Sequence, residues 1–413
     1  MARAPLENAP ARMAGGAGGG RILYTGMRLI AGDGGAPVEG AEILAEGGTI
    51  VYAGEARYAK ATDAARAMVV DLTGKTVVPG LVDCHVHLTF DATTKCLQNA
   101  ASRTDAENAV ECACNLRGIL SDGTACFREM GSKNGVAILV RDAVRGGKID
   151  GPDFLACGEI VAMTGGHCHM IAREADGAPD VAKAVREQAR MGADFVKFMA
   201  SGGIHTPGNI LESAQLTAEE LAAGVAEAHR LGRKAAAHAL SPAGIKNALV
   251  AGVDSLEHGC MLDEADIERM LKLGTYYVPT LNAIKVIADS TADKNIFPPS
   301  MLDKAKRCAE RHEKSFRLAL QGGVKIAFGT DRGTSLNFHS DAGARELALM
   351  AGYGMRPMDA IASATKTASE LLGIGGAYGT IAAGKRAAFV ALDRNPLDGM
   401  SAFAGPKTLY GVL

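Results

Sequence analysis

Two rhythms divide the chain. Short β-like runs come first: Ile22-Leu23-Tyr24, Ala41-Glu42-Ile43-Leu44, Thr49-Ile50-Val51-Tyr52-Ala53 and Met68-Val69-Val70-Asp71-Leu72, parted by Gly-rich turns such as Gly32-Asp33-Gly34-Gly35. Strands spaced in this way predict a small all-β unit. From Thr76 the pattern changes. Apolar runs at Val77–His87, Thr124–Glu129, Phe154–Val161, Ala193–Met199, Lys234–Ala239, Ser255–His258, Thr275–Thr280 and Val324–Thr330 alternate with longer segments, several of period near 3.6. Leu216–Leu231 opens with Thr217 and Glu220 at capping-box spacing, and Leu262–Leu273 opens with Asp263 and Asp266 as caps. Continuous apolar strands alternating with helices predict a parallel sheet covered on both faces. Eight such units over about 290 residues is the arithmetic of a (β/α)8 TIM barrel, an α/β fold. Two of the eight runs are weak, so an open sheet is the alternative.

A last β-like stretch, Gly379-Thr380-Ile381 followed by Ala387-Ala388-Phe389-Val390-Ala391-Leu392, returns to complete the N-terminal unit. The expected division is a flexible tail over 1–20, a composite β-sandwich from 21–79 and 379–413, and the barrel over 80–378.

Composition narrows the function classes. Apolar residues make up 47% of the 413 and charged residues 22%, enough for a large core. Lys and Arg number 44 against 46 Asp and Glu, a net charge of −2, which argues against a nucleic-acid binder or a polybasic membrane binder. No apolar run approaches the roughly 18 residues that a membrane span needs. Met1 to Gly20 lacks the apolar region of a secretory signal. The nine cysteines are odd in number and form no C-x-x-C, so reduced, mostly buried thiols and a cytoplasmic location are expected. Cys84, between Asp83 and His85, is the one to watch.

The chemistry gathers at strand ends. In Asp83-Cys84-His85-Val86-His87, residues i and i+2 of a strand face one side, so His85 and His87 point at one spot. Phe195-Val196-Lys197-Phe198-Met199 sets a lysine inside an apolar strand, where an unpaired ammonium is costly. It is explained by a buried ion pair, by snorkelling, by a Schiff-base lysine, or by a CO2-derived carbamate able to bridge two metals. Ala236-Ala237-His238-Ala239 and Leu256-Glu257-His258-Gly259 each close a strand with histidine, and Phe328-Gly329-Thr330-Asp331 closes one with a carboxylate. Any one of these is more often structural than catalytic. Their joint occurrence is hard to obtain from core packing. Imidazole and carboxylate ligands suit zinc, and also manganese, iron or cobalt.

In this order the constellation resembles the amidohydrolase superfamily: H-x-H after strand one, a carboxylated lysine after strand four, histidines after strands five and six, and aspartate after strand eight. The resemblance runs from about Arg21 to Leu397 and includes Thr76-Val77-Val78-Pro79-Gly80-Leu81-Val82-Asp83 and Gly379-Thr380-Ile381-Ala382-Ala383-Gly384-Lys385. Val196–Gly203 and Thr164-Gly165-Gly166-His167-Cys168-His169 look like the binuclear zinc Xaa-Pro and Xaa-Arg dipeptidases and N-acyl amino acid hydrolases, an imidazolonepropionase-like branch. Cys168 stands where that branch usually has glycine. Leu240 stands where prolidase-like members often carry an aromatic, which weighs against a proline preference.

The resemblance implies two divalent metals, zinc by expectation, held by His85, His87, Lys197, His238, His258 and Asp331, with Lys197 as a bridging carbamate. A bridging hydroxide would attack the amide of a dipeptide or N-acyl amino acid. Asp331 would carry the proton to the leaving amine, and His167 or His169 would hydrogen-bond the developing oxyanion. Arg332 would hold a substrate carboxylate or serve as a supporting salt bridge, and His205, Tyr277 and His339 are further substrate-pocket candidates. His229 and His312 lie in helical patterns and are read as surface residues. A homo-oligomer acting on small molecules is expected. Within the same superfamily, hydrolysis of a cyclic amide or imidazolone-type ring is the alternative. A mononuclear deaminase fits less well, since that subgroup lacks the lysine. The six intact ligand positions argue against a non-catalytic scaffold with a relic site. Activity that survives removal of metal and Lys197→Ala would sink the hydrolase reading, and a Schiff-base lyase would be revealed by borohydride trapping of Lys197.

Overall fold

The computed structural model describes residues 20–58, 67–206, 208, 210–290 and 296–411. The tail expected over 1–20 lies outside these residues apart from Gly20. Sixteen strands follow in order: β1 Arg21–Leu29, β2 Val38–Glu46, β3 Thr49–Gly54, β4 Ala67–Asp71, β5 Thr76–Pro79, β6 Leu81–Val86, β7 Thr124–Glu129, β8 Asp153–Ala156, β9 Ile160–Ala162, β10 Ala172–Glu174, β11 Phe195–Met199, β12 Lys234–Ala239, β13 Ser255–His258, β14 Tyr276–Val278, β15 Phe389–Leu392 and β16 Lys407–Tyr410.

Both ends of the chain build one mixed sheet, ordered β16-β15-β5-β1-β2-β3. It branches at β1, whose first residues pair with β4 and whose last pair with β5. Its core includes Tyr24, Met27, Ile43, Val77 and Phe389, with Tyr24 and Phe389 edge to face at 4.9 Å. The continuous run Val77–His87 therefore serves two bodies. Gly80 is the hinge between β5 and β6. A Cβ there would lie 2.5 Å from that of Ala125, so the crossing admits no larger residue.

The other strands are parallel and form the barrel. β6, β7 and β8 pair in order, and β9, β11, β12, β13 and β14 form a second run. Backbone hydrogen bonds carry the ring across both seams. The Asp194 N–H donates to the carbonyl of Ala156 (2.8 Å). The run 324–330 joins β14 through Tyr277 N to Lys325 O (2.9 Å) and β6 through Cys84 N to Phe328 O (2.9 Å).

Two expected strands are altered. Phe154–Val161 is one stave broken in the middle: β8 pairs with β7, whereas β9 pairs with β11. Gly158 adopts φ +78° at the break, and the Glu159 N–H goes to the Gln188 side chain (2.8 Å). Val324–Thr330 holds no regular strand, only a bridge of Ile326 to Tyr277.

The helices follow their caps. Ala218–Arg230 starts from the Thr217/Glu220 box and Glu264–Leu273 from Asp263/Asp266. The 24-residue helix Pro299–Gly322 corrects one reading. His312 is not on the surface but 2% exposed, on a buried stripe with Cys308, Ser315 and Phe316. His229 is exposed, and its Nε2 lies 2.8 Å from Asp254. Eight of the nine cysteines are buried and all are free. Cys84 faces away from the barrel axis, toward the carbonyl of Ala368. Among the described residues no helix is long and apolar enough to cross a membrane.

Candidate metal centre

All six strand-end residues line one cleft at the C-terminal face of the barrel, where such folds place their chemistry. His85, His87, Lys197, His238, His258 and Asp331 are each at most 8% exposed. Strand alternation puts Phe195, Lys197 and Met199 on the inward face of β11, while Val196 and Phe198 join the outer core. His258 needs more than alternation. Glu257 before it already faces inward, so a regular strand would turn His258 outward. His258 instead takes φ +69°, and Asp331 takes φ +55°. Such left-handed backbone is strained for non-glycine residues and persists where the surroundings hold it. The Asp331 N–H donates to the carbonyl of His85 (2.7 Å), and the Tyr277 hydroxyl donates to that of His258 (2.8 Å).

The donor atoms converge. Those of His85, His258 and Asp331 lie within 4.8 Å of one another. Asp331 Oδ1 is 3.5 Å from His85 Nε2 and 3.4 Å from His87 Nε2. The rings of His238 and His258 are centred 4.7 Å apart. Each remaining ring nitrogen of three histidines is engaged. His85 Nδ1 meets Glu257 (2.8 Å), His258 Nδ1 meets Thr280 (2.6 Å), and His238 Nε2 meets the Gly202 carbonyl (3.1 Å). That arrangement orients the opposite nitrogen into the cleft, as metal-binding histidines require. Glu257 is itself held by Arg128 (2.9 Å) and Ser255 (2.6 Å).

The electrostatics suit a cation. Burial, then the Lys197 charge, pushes His85 well below the usual histidine range. Burial brings His87 and His238 down to about 3 and also lowers His258. Neutral imidazoles are the form that ligates metal. Burial lowers Lys197 toward a neutral amine and raises Asp331 to about 8. Asp331 Oδ1 has no hydrogen-bond partner among the described residues, so a buried acceptor is left for a cation. The donor set fits one or more divalent ions.

Substrate-side candidates divide. His167 lines the cleft, its ring 4.6 Å from that of His238 and its Nδ1 2.8 Å from Thr206 Oγ1. Cys168 is also in the lining, at φ +59° with Sγ 3.6 Å from His167 Nε2. His205 lines the cleft too, and its Nε2 is shielded without a partner among the described residues.

The others are placed differently. His169 points Nδ1 at the Gly166 carbonyl (3.0 Å), outside the cleft lining. His339 is buried with Nε2 3.0 Å from the Phe90 carbonyl, and Tyr277 is a support beneath His258. Arg332 is fully buried and does not reach the cleft. Its Nε donates to Asp83 (2.9 Å) and its Nη2 pairs with Asp122 (3.0 Å), which Lys407 of β16 also approaches (3.3 Å). Of its two sequence readings, the supporting salt bridge is the one the structure contains. Asp83 further accepts from the N–H of His85 and of Thr330, each at 3.0 Å.

Sequence reasoning gave no role to Glu257, Arg128 or Thr280. The available signal was Arg128 and Glu257, opposite charges each set near the end of a buried strand.

Comparison with known proteins follows the same lines. Residues 76–412 match the model of the amidohydrolase family. The chain is 30% identical to the ochratoxinase of Aspergillus niger over 429 aligned residues, covering 95% of this chain and 85% of that protein. A crystal structure of a Xaa-Pro dipeptidase with methionine bound in its active site superposes with TM-score 0.85 at 32% identity, covering 93% of this chain and 96% of that one. A prolidase complexed with N-methylphosphonate-L-proline gives TM-score 0.83 at 29% identity, covering 93% and 95%.

Proposed function

The chain belongs to the amidohydrolase family, and from that premise we propose that it is a zinc-dependent hydrolase of the amide bond in dipeptides or N-acyl amino acids. The observation that carries this is the meeting of His85, His258 and Asp331 donor atoms within 4.8 Å, in a cleft also lined by Lys197, His87 and His238.

His85, His87 and Asp331 would hold one ion, and His238 and His258 a second. Lys197 would react as the neutral amine with CO2, losing a proton, to give a carbamate that serves both. Its burial in the cleft, which disfavours the ammonium, supports that use. When bound, divalent ions supply Lewis acidity, acidifying water and polarising the amide carbonyl. Asp331 takes the proton of the attacking water and delivers it to the leaving amine. Thr206 Oγ1 accepts from the Cys168 N–H (3.0 Å) and so has its own proton for His167 Nδ1. His167 then carries a proton on Nε2, which it donates to the developing oxyanion.

The test is metal analysis of the purified protein, followed by turnover of a dipeptide and N-acyl amino acid library before and after chelation. Two zinc ions per chain and chelator-sensitive turnover are expected. Asp331→Ala should abolish turnover while part of the metal stays bound. Full activity in metal-free protein, or in Lys197→Ala, would overturn the reading.

A further inference from the structure

Above the candidate ligands the cleft changes character. Lys197 and Met199 share one face of β11, two residues apart, and Leu240 follows His238 by the same interval. β11 and β12 are neighbours in register, with Met199 beside His238, and Leu240 N bonds Ser201 Oγ (2.9 Å) one pleat farther on. Met199 and Leu240 thus form adjoining parts of one wall, each 2% exposed. Ile204 from the loop after β11, Ile284 from the helix Leu281–Ala288, and Phe90 stacked on His87 at 4.6 Å extend the apolar lining. Among the described lining residues Lys197 is the sole lysine or arginine. Arg332 is committed to Asp83 and Asp122.

We propose that Met199 and Leu240 are specificity-determining residues that receive an uncharged, apolar side chain of the amide substrate and reject charged ones. This rests on the amide-hydrolase reading and adds the substrate class. A charged side chain entering this wall would lose its water and meet no partner, whereas an apolar one gains by burial. Discrimination in such pockets is commonly 10- to 200-fold.

The experiment compares kcat/KM of the zinc-loaded protein for N-acetyl-L-leucine, N-acetyl-L-phenylalanine, N-acetyl-L-alanine, N-acetyl-L-aspartate and N-acetyl-L-lysine. Apolar substrates are expected to lead the charged ones by at least about 30-fold. Leu240→Asn should cut the leucine-to-aspartate ratio at least about tenfold with zinc content unchanged. Leu240→Phe keeps the wall apolar but fills it, so the phenylalanine-to-alanine ratio should fall by a similar factor. Equal or inverted preference, or ratios unmoved in Leu240→Phe, overturns the proposal while chelator-sensitive turnover leaves the hydrolase reading standing. If none of these amides is cleaved, thermal shifts of the zinc-loaded protein by the same five compounds decide. Stabilisation confined to the apolar three, and weakened in Leu240→Phe, supports the proposal, and equal shifts refute it.

Discussion

Replacing Glu257 by glutamine probes how the candidate centre is built. Glu257 is fully buried and accepts from His85 Nδ1 (2.8 Å), Arg128 Nη2 (2.9 Å) and Ser255 Oγ (2.6 Å). An amide has one acceptor where the carboxylate has two. If its oxygen faces His85, its NH2 confronts the Arg128 guanidinium. If the oxygen faces Arg128, the NH2 confronts His85 Nδ1, forcing the ring proton onto Nε2 and blocking that lone pair. The first arrangement leaves a buried cation unpaired, worth about 3–5 kcal/mol of stability. It is softened by the remaining bond of Arg128 Nε to the Cys84 carbonyl (2.8 Å). The second acts on the metal, and losing such a partner typically costs 10- to 100-fold in affinity, about 1.4–2.7 kcal/mol. Urea denaturation of the metal-free protein reads the first effect, and zinc competition with a chromogenic chelator reads the second. Folded Glu257→Gln that keeps the parent's urea stability and also binds zinc within about twofold of the parent would refute the reasoning. Should that variant not fold, Thr280→Val tests the same logic at His258, whose Nδ1 loses its 2.6 Å partner.

Further outcomes are expected at three other residues. Burial raises Glu129 from 4.5 to about 8. Its unfolded form ionises above 4.5 and its folded form only above about 8. The unfolded state therefore binds fewer protons across that window, and stability falls as pH rises through it. Glu129→Gln should remove that slope, gaining a few kcal/mol near pH 8, with roughly 5 as the ceiling, and little near pH 4. Urea titrations in chelator check it. A Cβ at Gly203 would overlap the His167 ring, so Gly203→Ala should lower kcat/KM at least about tenfold with zinc content intact. Arg332→Met should destabilise by about 3–5 kcal/mol through Asp83 and Asp122. In steady-state assays Arg332→Lys should leave the preference between carboxylate and carboxamide ends of a substrate unchanged.

What the sequence exposes follows from local physics. His85, Lys197, His238, His258 and Asp331 were readable because an ionisable group ending an apolar strand is conspicuous, and the chain brings all five into one cleft. Thr217/Glu220 and Asp263/Asp266 were legible because a capping box is complete within four residues. The break at Gly158 was hidden, since it depends on Gln188 of a later helix supplying the missing bond. His312 misled because its charged sequence neighbours describe the outer face of a helix whose inner stripe it occupies. Arg332 sits beside Asp331 in sequence, yet its partners Asp83 and Asp122 are more than 200 positions away. Adjacency along the chain therefore said nothing of which way its guanidinium points.

The chain of Lys407, Asp122, Arg332 and Asp83 has a consequence for how this protein can vary. Its two acids and two bases balance in charge, and its ends are the last strand of the terminal sheet and the backbone of Thr330, just before Asp331. Removing Lys407 would leave two carboxylates sharing one guanidinium, and the strain would be felt where Thr330 and His85 lean on Asp83. Randomising β16 would thus explore reaction geometry, although none of its residues lines the cleft. Sheet and barrel are expected to melt in one cooperative step rather than as separable modules.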